Sequence, residues 1–289
     1  MCGRNKAEIP VEDYNITVNK EQHFKGDKIV VFYEKDLGLY PHVYKNKSYN
    51  GGIPQEVNLT KHLRETRKSV NFYIPREDFD GYAIIDWESW RPVWQTNWGK
   101  LHIYQRQFPY LKPREQKVWA KRFFEHSARK LMTTTLALCK ELRPKAKWGF
   151  YGFPSRMGGG RFNLSKRNKG WNNQISWLLN MSTAIYPSIY YKAADLTYNH
   201  TERHLSTQAV LLEARRFAPS GNPPIYPFTK FIFDAYAINL TGYYYYDEKD
   251  LCSTIKQVAD LGMDGVLIWG SSKMVSSNAK CNDISRYVQ

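Results

Sequence analysis

Strand-like and helix-like segments alternate along this chain of 289 residues, and no Gly/Ser-rich or Pro-rich linker separates them. Repeated strand-then-helix units predict an α/β fold with a parallel sheet. A parallel sheet with its helices can close into a barrel within one domain of this length. The sequence therefore predicts a single domain over residues 1–289, built as a TIM-like (β/α) barrel with six identifiable strands.

The strand candidates are short runs rich in β-branched and aromatic residues. They cover residues 28–33, 81–86, 148–153, 185–191, 225–233 and 265–269. The helix candidates fill the stretches between and after them, at residues 57–70, 115–142, 201–218, 249–261 and 279–288. In barrels of this kind the functional side chains lie at the carboxyl ends of the strands.

The second strand candidate ends in two carboxylates, Asp86 and Glu88, two residues apart. Side chains two apart on a strand share a face, so both would project together among Trp87, Trp90 and Trp94. One carboxyl group can keep its proton beside the negative charge of the other, as the cleavage of an acetal between sugars requires. The pattern predicts glycoside hydrolysis, and the alternative is a strand end with two solvated acids.

Residues 81–94 read GYAIIDWESWRPVW, and Asn97 and Trp98 follow closely. Further blocks occur as GGIPQ at 51–55, NLTKH at 58–62, KWGFYGFP at 147–154, SWLL at 176–179, AIYPSIY at 184–190 and GVLIWGSS at 265–272. Together they resemble the hyaluronidases, glycoside hydrolase family 56, from about Cys2 to Cys281. The resemblance implies a barrel of about seven strands, so we expect this chain to lack the first strand and the C-terminal cysteine-rich module of many animal members.

The resemblance also implies roles for individual residues. Glu88 would be the general acid, Asp86 would orient and stabilise the acetamido group of the substrate, and Tyr151 would hydrogen-bond the acetamido oxygen. That oxygen would attack its own anomeric carbon, which is substrate-assisted catalysis. The expected substrate-binding residues are Trp90, Arg91, Tyr190, Asp234 and Trp269. No metal ion or other cofactor is expected.

The excess of basic over acidic residues indicates which class of molecule the chain binds. The chain has 42 Lys and Arg against 27 Asp and Glu, which favours a polyanion. No helix-turn-helix, zinc-finger or RNA-recognition motif accompanies this charge, so we expect no nucleic acid partner. Hyaluronan or chondroitin fits better. The basic segment, residues 143–169, has eight basic and no acidic residues, and we expect it to border the cleft; the alternative is a solvated loop.

Seven Asn-x-Ser/Thr sequons favour a secretory route, at Asn15, Asn46, Asn58, Asn163, Asn180, Asn199 and Asn239. The sequence opens on polar residues without a signal peptide, and no run is as long as a membrane span. We expect a secreted or lysosomal monomer. The resemblance implies a disulfide bond between Cys2 and Cys281, and the helical settings of Cys139 and Cys252 favour buried free thiols.

These observations predict a retaining endo-β-N-acetylhexosaminidase that hydrolyses hyaluronan, with chondroitin as a second or preferred substrate. The alternative is a non-catalytic glycosaminoglycan-binding homologue. The retained Asp86 and Glu88 pair favours the enzyme, and the missing strand favours the alternative.

Overall fold

The computed structural model describes residues 11–106, 113–157, 163–233 and 244–288. Its strands are β1 (Ile29–Tyr33), β2 (His42–Tyr44), β3 (Lys47–Tyr49), β4 (Tyr82–Asp86), β5 (Lys147–Phe150), β6 (Phe228–Thr229) and β7 (Leu267–Ile268). Its helices are α1 (Leu59–Tyr73), α2 (Ile103–Arg106), α3 (Pro113–Leu142), α4 (Lys166–Gln174), α5 (Ser176–Met181), α6 (His200–Phe217), α7 (Glu248–Leu251), α8 (Gln257–Asp260) and α9 (Asn278–Val288).

The parallel strands pair with one another in the order in which they occur along the chain. Strand β4 lies between β1 and β5, with Ile84 opposite both Val31 and Gly149. Single bridges continue the series from Tyr151 to Tyr186 and from Ser188 to Phe228, and β6 pairs with β7. Six parallel segments therefore place their carboxyl ends on one side of the molecule, which confirms the predicted α/β fold.

The strands and helices form where local sequence supports them. In β1 and β4 the three central residues are buried, as expected for apolar strands covered on both faces. Asn58 caps α1 by accepting from the backbone N–H of Lys61, and Asn199 and Glu202 form a capping box at the start of α6. These caps fix where each helix begins.

The main core lies between the sheet and helices α1 and α3. Phe32 of β1 stacks on Trp148 of β5 with ring centroids 5.6 Å apart, and both rings are fully buried. His62 of α1 is also fully buried, accepting from the Leu39 backbone N–H and contacting the Thr135 hydroxyl at 2.8 Å. Burial lowers the pKa of His62 to about 4, so it is neutral at physiological pH.

The five predicted helices all occur, although the fourth is divided by a π-helical turn, Cys252–Lys256, between α7 and α8. Sequence reasoning missed helices α2, α4 and α5 and the β2–β3 hairpin. All four are short and carry polar residues, so their apolar periodicity is weak. The last three strand candidates are correct in place but much shorter in regular pairing than predicted.

Cys139 and Cys252 are free thiols, as predicted. Cys139 is buried, but Cys252 is exposed, so the expectation of two buried thiols was wrong for the second. The predicted bond between Cys2 and Cys281 stays a prediction, because Cys2 lies outside the described residues. None of the helices that the structure describes combines the length and apolar character needed to cross a membrane.

Candidate active site

Two adjoining cavities open at the carboxyl ends of the strands. The smaller has a volume of about 260 Å³, and its walls include Asp86, Glu88 and Lys230. The larger has a volume of about 610 Å³. Glu88, Tyr151 and Tyr190 line both, so the two cavities meet at the predicted catalytic carboxyl group.

Asp86 is the last residue of β4 and lies largely buried at the wall of the smaller cavity. Its Oδ1 is buried and receives no hydrogen bond within the part of the chain that the structure describes. Burial, with the negative charges of Glu88 and Glu34, raises the pKa of Asp86 to about 8. The carboxyl group is therefore protonated at neutral pH in the ligand-free protein.

Glu34 is a third carboxylate beside this pair, and sequence reasoning missed it. Its Oε1 accepts from the Ser89 backbone N–H at 2.7 Å, from the Ser89 hydroxyl at 2.5 Å and from the Glu88 backbone N–H at 3.3 Å. These bonds tie the turn after β4 to the end of β1. The available signal was that Glu34 directly follows a buried strand.

Tyr151 follows β5 and faces the same cavities. Its hydroxyl donates to Ser188 Oγ at 3.1 Å, and its ring centroid lies 6.1 Å from that of Tyr190. Burial and the charge of Glu88 raise the pKa of Tyr151 above its usual range, so the hydroxyl keeps its proton and can donate it in a hydrogen bond.

Trp269 follows β7 and lines the smaller cavity together with Tyr151. Its indole N–H donates to the Tyr33 hydroxyl at 3.3 Å, which joins the last strand of the series to the first. The ammonium group of Lys230 lies 4.3 Å from the ring centroid of Tyr190 and 4.7 Å from that of Trp269. Sequence reasoning missed Lys230, because the strand candidate 225–233 placed it inside the strand, whereas β6 ends at Thr229.

The remaining predicted site residues, Arg91, Trp90 and Asp234, differ in whether they line a cavity. Arg91 lines the larger cavity, and its guanidinium donates to the Thr96 carbonyl at 2.7 Å. Trp90 is 2% exposed and donates to the Pro41 carbonyl, so it supports the site from the core and lines neither cavity. Asp234 lies outside the described residues, and its role stays a prediction.

The structure divides the basic segment. Arg156 lines the larger cavity. Arg143 is instead 3% exposed and donates to the Ile74 carbonyl at the other end of the sheet, and Lys147 opens β5 there and binds the Asp80 carbonyl. The expectation that the whole segment borders the cleft was wrong, because β5 carries its two ends to opposite sides of the molecule.

One group within the described ranges has the composition of a cation site. Ligand atoms of His200, Asp247 and Asp250 lie within 4.8 Å of one another. These atoms already have protein partners: His200 contacts Asp247 at 2.5 Å, and Arg203 donates to both carboxylate oxygens of Asp250. None of its members lines either of the two cavities.

Comparison with known proteins places this sequence and fold beside the hyaluronidases. A family model described as hyaluronidase, glycoside hydrolase family 56, matches residues 1–289. The crystal structure of bee venom hyaluronidase in complex with a hyaluronic acid tetramer is similar to this structure with a TM-score of 0.85. It shares 30% identity, and the match covers 98% of this chain and 90% of that chain.

Curated relatives give the same result. A hyaluronidase of Loxosceles intermedia is 39% identical over 96% of this chain and 71% of its own length. A chondroitin hydrolase of Caenorhabditis elegans is 33% identical over 99% of this chain and 65% of its own length. Hyaluronidase-1 of Mus musculus is 31% identical over 98% of this chain and 63% of its own length. The chain thus spans about two thirds of the length of these relatives.

Proposed function

Because the chain belongs to the hyaluronidase family, glycoside hydrolase family 56, we propose that it hydrolyses hyaluronan as a retaining endo-β-N-acetylhexosaminidase, with chondroitin as a second substrate. The observation that carries the proposal is the pair of carboxyl groups at the end of β4. Glu88 lines both cavities, and Asp86 is desolvated beside it with an oxygen that accepts no hydrogen bond among the described residues.

In the ligand-free protein Asp86 holds a proton at neutral pH, because its pKa is raised to about 8. An acetamido N–H that donates to Asp86 favours the ionised form of that carboxyl group, because hydrogen bonds to a carboxylate stabilise its charge. Substrate binding would thereby move the proton to Glu88. Glu88 would then protonate the glycosidic oxygen as the bond to the anomeric carbon breaks.

The substrate itself would supply the nucleophile. A retaining glycosidase with an enzymatic nucleophile needs a second free carboxylate about 5–5.5 Å from the acid. Glu34 is the nearby candidate on another strand, but its Oε1 already accepts three hydrogen bonds from Glu88 and Ser89. The acetamido oxygen would therefore attack the anomeric carbon and form an oxazolinium ion, which ionised Asp86 would stabilise.

Tyr151 and Trp269 would position the reacting ring. The Tyr151 hydroxyl would turn from Ser188 to donate to the acetamido oxygen, holding it in line with the anomeric carbon. Water would then attack that carbon from the face the leaving group vacated, with ionised Glu88 taking its proton, so the configuration is retained. Tyr190, Arg91 and Asp234 would bind neighbouring sugars, with Trp90 supporting the wall from behind.

Glu88→Gln tests the assignment of the acid. The amide keeps the shape of the side chain but cannot donate the proton, so we expect reducing-end release from hyaluronan to fall by at least about 100-fold. Binding of hyaluronan oligosaccharides, measured by calorimetry, should persist. The matched control is Glu77→Gln, which removes an exposed carboxylate remote from the cavities.

Residual cleavage within about tenfold of the parent would remove Glu88 from the role of acid, since a positioned acid contributes more than that. Product stereochemistry tests the rest of the mechanism. NMR spectra in the first minutes should show the β-anomer at the new reducing end, and an initial α-anomer would contradict retention.

We propose the remaining features of the family as well. The six parallel segments would form most of the wall of a TIM-like barrel within one catalytic domain, with its seam between β7 and β1, which the Trp269 to Tyr33 hydrogen bond spans. The exposed sequon residues Asn46 and Asn180 are compatible with glycosylation during secretion. The non-catalytic alternative has no comparable support, and the lining of one cavity by both Asp86 and Glu88 favours the enzyme.

A further inference from the structure

Glu88 lies in the turn after β4, residues 87–90, and is not part of the sheet itself. The pairing of β1 with β4 ends where Tyr33 lies opposite Asp86. Glu88 is the second residue beyond that point, and it is exposed. A general acid must lie within hydrogen-bond reach of the oxygen that it protonates. The position of Glu88 therefore depends on what fixes the backbone of this turn.

Aromatic packing fixes the two ends of the turn. Trp87 and Trp90 are both buried, and the Tyr40 ring lies against them with centroid distances of 4.6 and 5.2 Å. The Tyr40 hydroxyl also accepts from the Trp90 backbone N–H at 3.2 Å. These contacts do not include the two residues in the middle of the turn, Glu88 and Ser89.

The carboxylate of Glu34 holds the middle of the turn. Its Oε1 accepts from both backbone N–H groups there, at 3.3 Å from Glu88 and 2.7 Å from Ser89, and from the Ser89 hydroxyl at 2.5 Å. Hydrogen bonds to an ionised acceptor are about twice as strong as bonds between neutral groups. Glu34 directly follows β1, so these bonds attach the backbone around the acid to the sheet.

The negative charge of Glu34 also acts on the carboxyl pair. Together with burial and the charge of Glu88, it raises the pKa of Asp86. The other charged or titratable groups near the pair or near Glu34 are Tyr33, Tyr40, Arg91, Tyr104, Tyr151, Tyr190 and Lys230. A substitution of Glu34 keeps all of these groups, so the resulting change in pH dependence reports the charge of Glu34.

We propose that Glu34 is a positioning residue for the general acid, and that its three hydrogen bonds hold Glu88 toward the glycosidic oxygen. The proposal rests on the proposed function, because that function makes Glu88 the acid. Glu34 lines neither cavity, so it would not touch the substrate. Its effect would pass through the turn and should therefore appear in turnover and not in affinity.

The test compares Glu34→Met and Glu34→Gln with the parent on hyaluronan at about pH 6, where Asp86 keeps its proton. Methionine keeps the length of the side chain but removes the acceptor, so we expect kcat to fall by about 100-fold, as for other misplaced catalytic groups. Glutamine keeps a carbonyl oxygen for the three donors, so its kcat should stay within about tenfold of the parent. Calorimetry should show little change in oligosaccharide affinity for either variant.

Glutamine also removes the charge, which has a separate effect. Without the negative charge of Glu34 the pKa of Asp86 should fall, so the loss of kcat/KM at alkaline pH should begin lower by roughly 0.5–1 pH unit. The matched control is Glu77→Gln, which removes an exposed carboxylate that lines neither cavity and should leave this pH dependence unchanged.

A methionine variant whose kcat lies within about tenfold of the parent would overturn the proposal, and so would a loss confined to KM. If methionine prevents folding, as judged by circular dichroism, Ser89→Ala takes its place. It removes one of the three hydrogen bonds and should lower kcat by about tenfold. An unchanged kcat in that variant would count equally against the proposal.

Failure of the proposed function looks different, because the parent then cleaves neither hyaluronan nor chondroitin. Hydrogen exchange followed by NMR still tests the contact of Glu34 with the turn in that case. The Ser89 backbone N–H should exchange faster in Glu34→Met than in the parent, and at nearly the parent's rate in Glu34→Gln. Equal exchange in all three proteins would overturn the proposal.

Discussion

Two buried carboxyl groups in this molecule have opposite surroundings. Asp250 is 2% exposed at the contact of α6 with α7, and Arg203 donates to its two oxygens at 2.7 and 3.2 Å. Asp86 lies at the strand-end cavity with an Oδ1 that accepts no hydrogen bond from the described residues. The fold thus gives both oxygens of the Asp250 carboxylate a hydrogen-bond donor and leaves Oδ1 of Asp86 available to a ligand.

The difference shows how burial can serve stability or function. The acid paired with arginine joins two helices, whereas burial without a hydrogen-bond donor keeps the Asp86 carboxyl group protonated until a donor arrives. Unsatisfied buried polar atoms are rare in native proteins and concentrate at functional sites. Each of the following predictions tests this contrast between Asp250 and Asp86, beginning with the largest expected effect.

Arg203→Met should break the ion pair between Arg203 and Asp250. The change leaves Asp250 buried without its counter-charge, and we expect the free energy of unfolding to fall by about 3–5 kcal/mol. Urea unfolding followed by circular dichroism measures this loss. Turnover per folded molecule should fall far less than in a variant of Asp86.

The double variant Arg203→Met with Asp250→Leu is the control for this pair, since it removes both charges together. It should recover part of the lost stability, because the penalty comes from the charge left alone. An Arg203→Met protein as stable as the parent would mean that Asp250 is not held by this arginine.

Asp86→Asn should have the opposite effect on stability while disabling catalysis. We expect turnover on hyaluronan to fall about 100- to 1,000-fold, because the amide cannot stabilise the positive charge of the oxazolinium ion. Affinity for oligosaccharides should change much less. Steady-state kinetics and calorimetry separate the two effects.

The gain in stability follows from the sign of the pKa shift. Burial raises the pKa of Asp86 from 3.8 to about 8, so the folded protein binds this proton more tightly than the unfolded chain. The parent therefore loses stability as pH rises from about 4 to 8, and Asn avoids that loss. At pH 8 the variant should be more stable by about 1–3 kcal/mol, on a scale of about 1.4 kcal/mol per pKa unit. A less stable variant would contradict the unsatisfied state of Asp86.

The dependence of kcat/KM on pH should report the loss of the same proton. Below about pH 8 the pair of Asp86 and Glu88 holds the proton that catalysis needs, and above it the proton is lost. We expect kcat/KM to fall on an alkaline limb near pH 8, by about tenfold for each further pH unit. Rates between pH 5 and 10 in a constant-ionic-strength buffer check this, and activity that stays level to pH 9.5 would contradict it.

Part of this architecture follows from local sequence. The strand ending in Asp86 and the long helix α3 follow short-range rules of periodicity, and the structure has both close to the predicted bounds. The blocks shared with the hyaluronidases identified the family, which the comparisons confirm. The sequence was therefore sufficient for the fold class and for the carboxyl pair.

Only the tertiary structure decided which distant side chains meet. Tyr33 and Trp269 are 236 residues apart and share a hydrogen bond, and Glu34 reaches across to the turn at Ser89. The same long-range packing buries Trp90 in the core and brings Lys230 into the cavity. Periodicity shows which face of an element is apolar, but desolvation, and with it the pKa of Asp86, depends on neighbours from several strands.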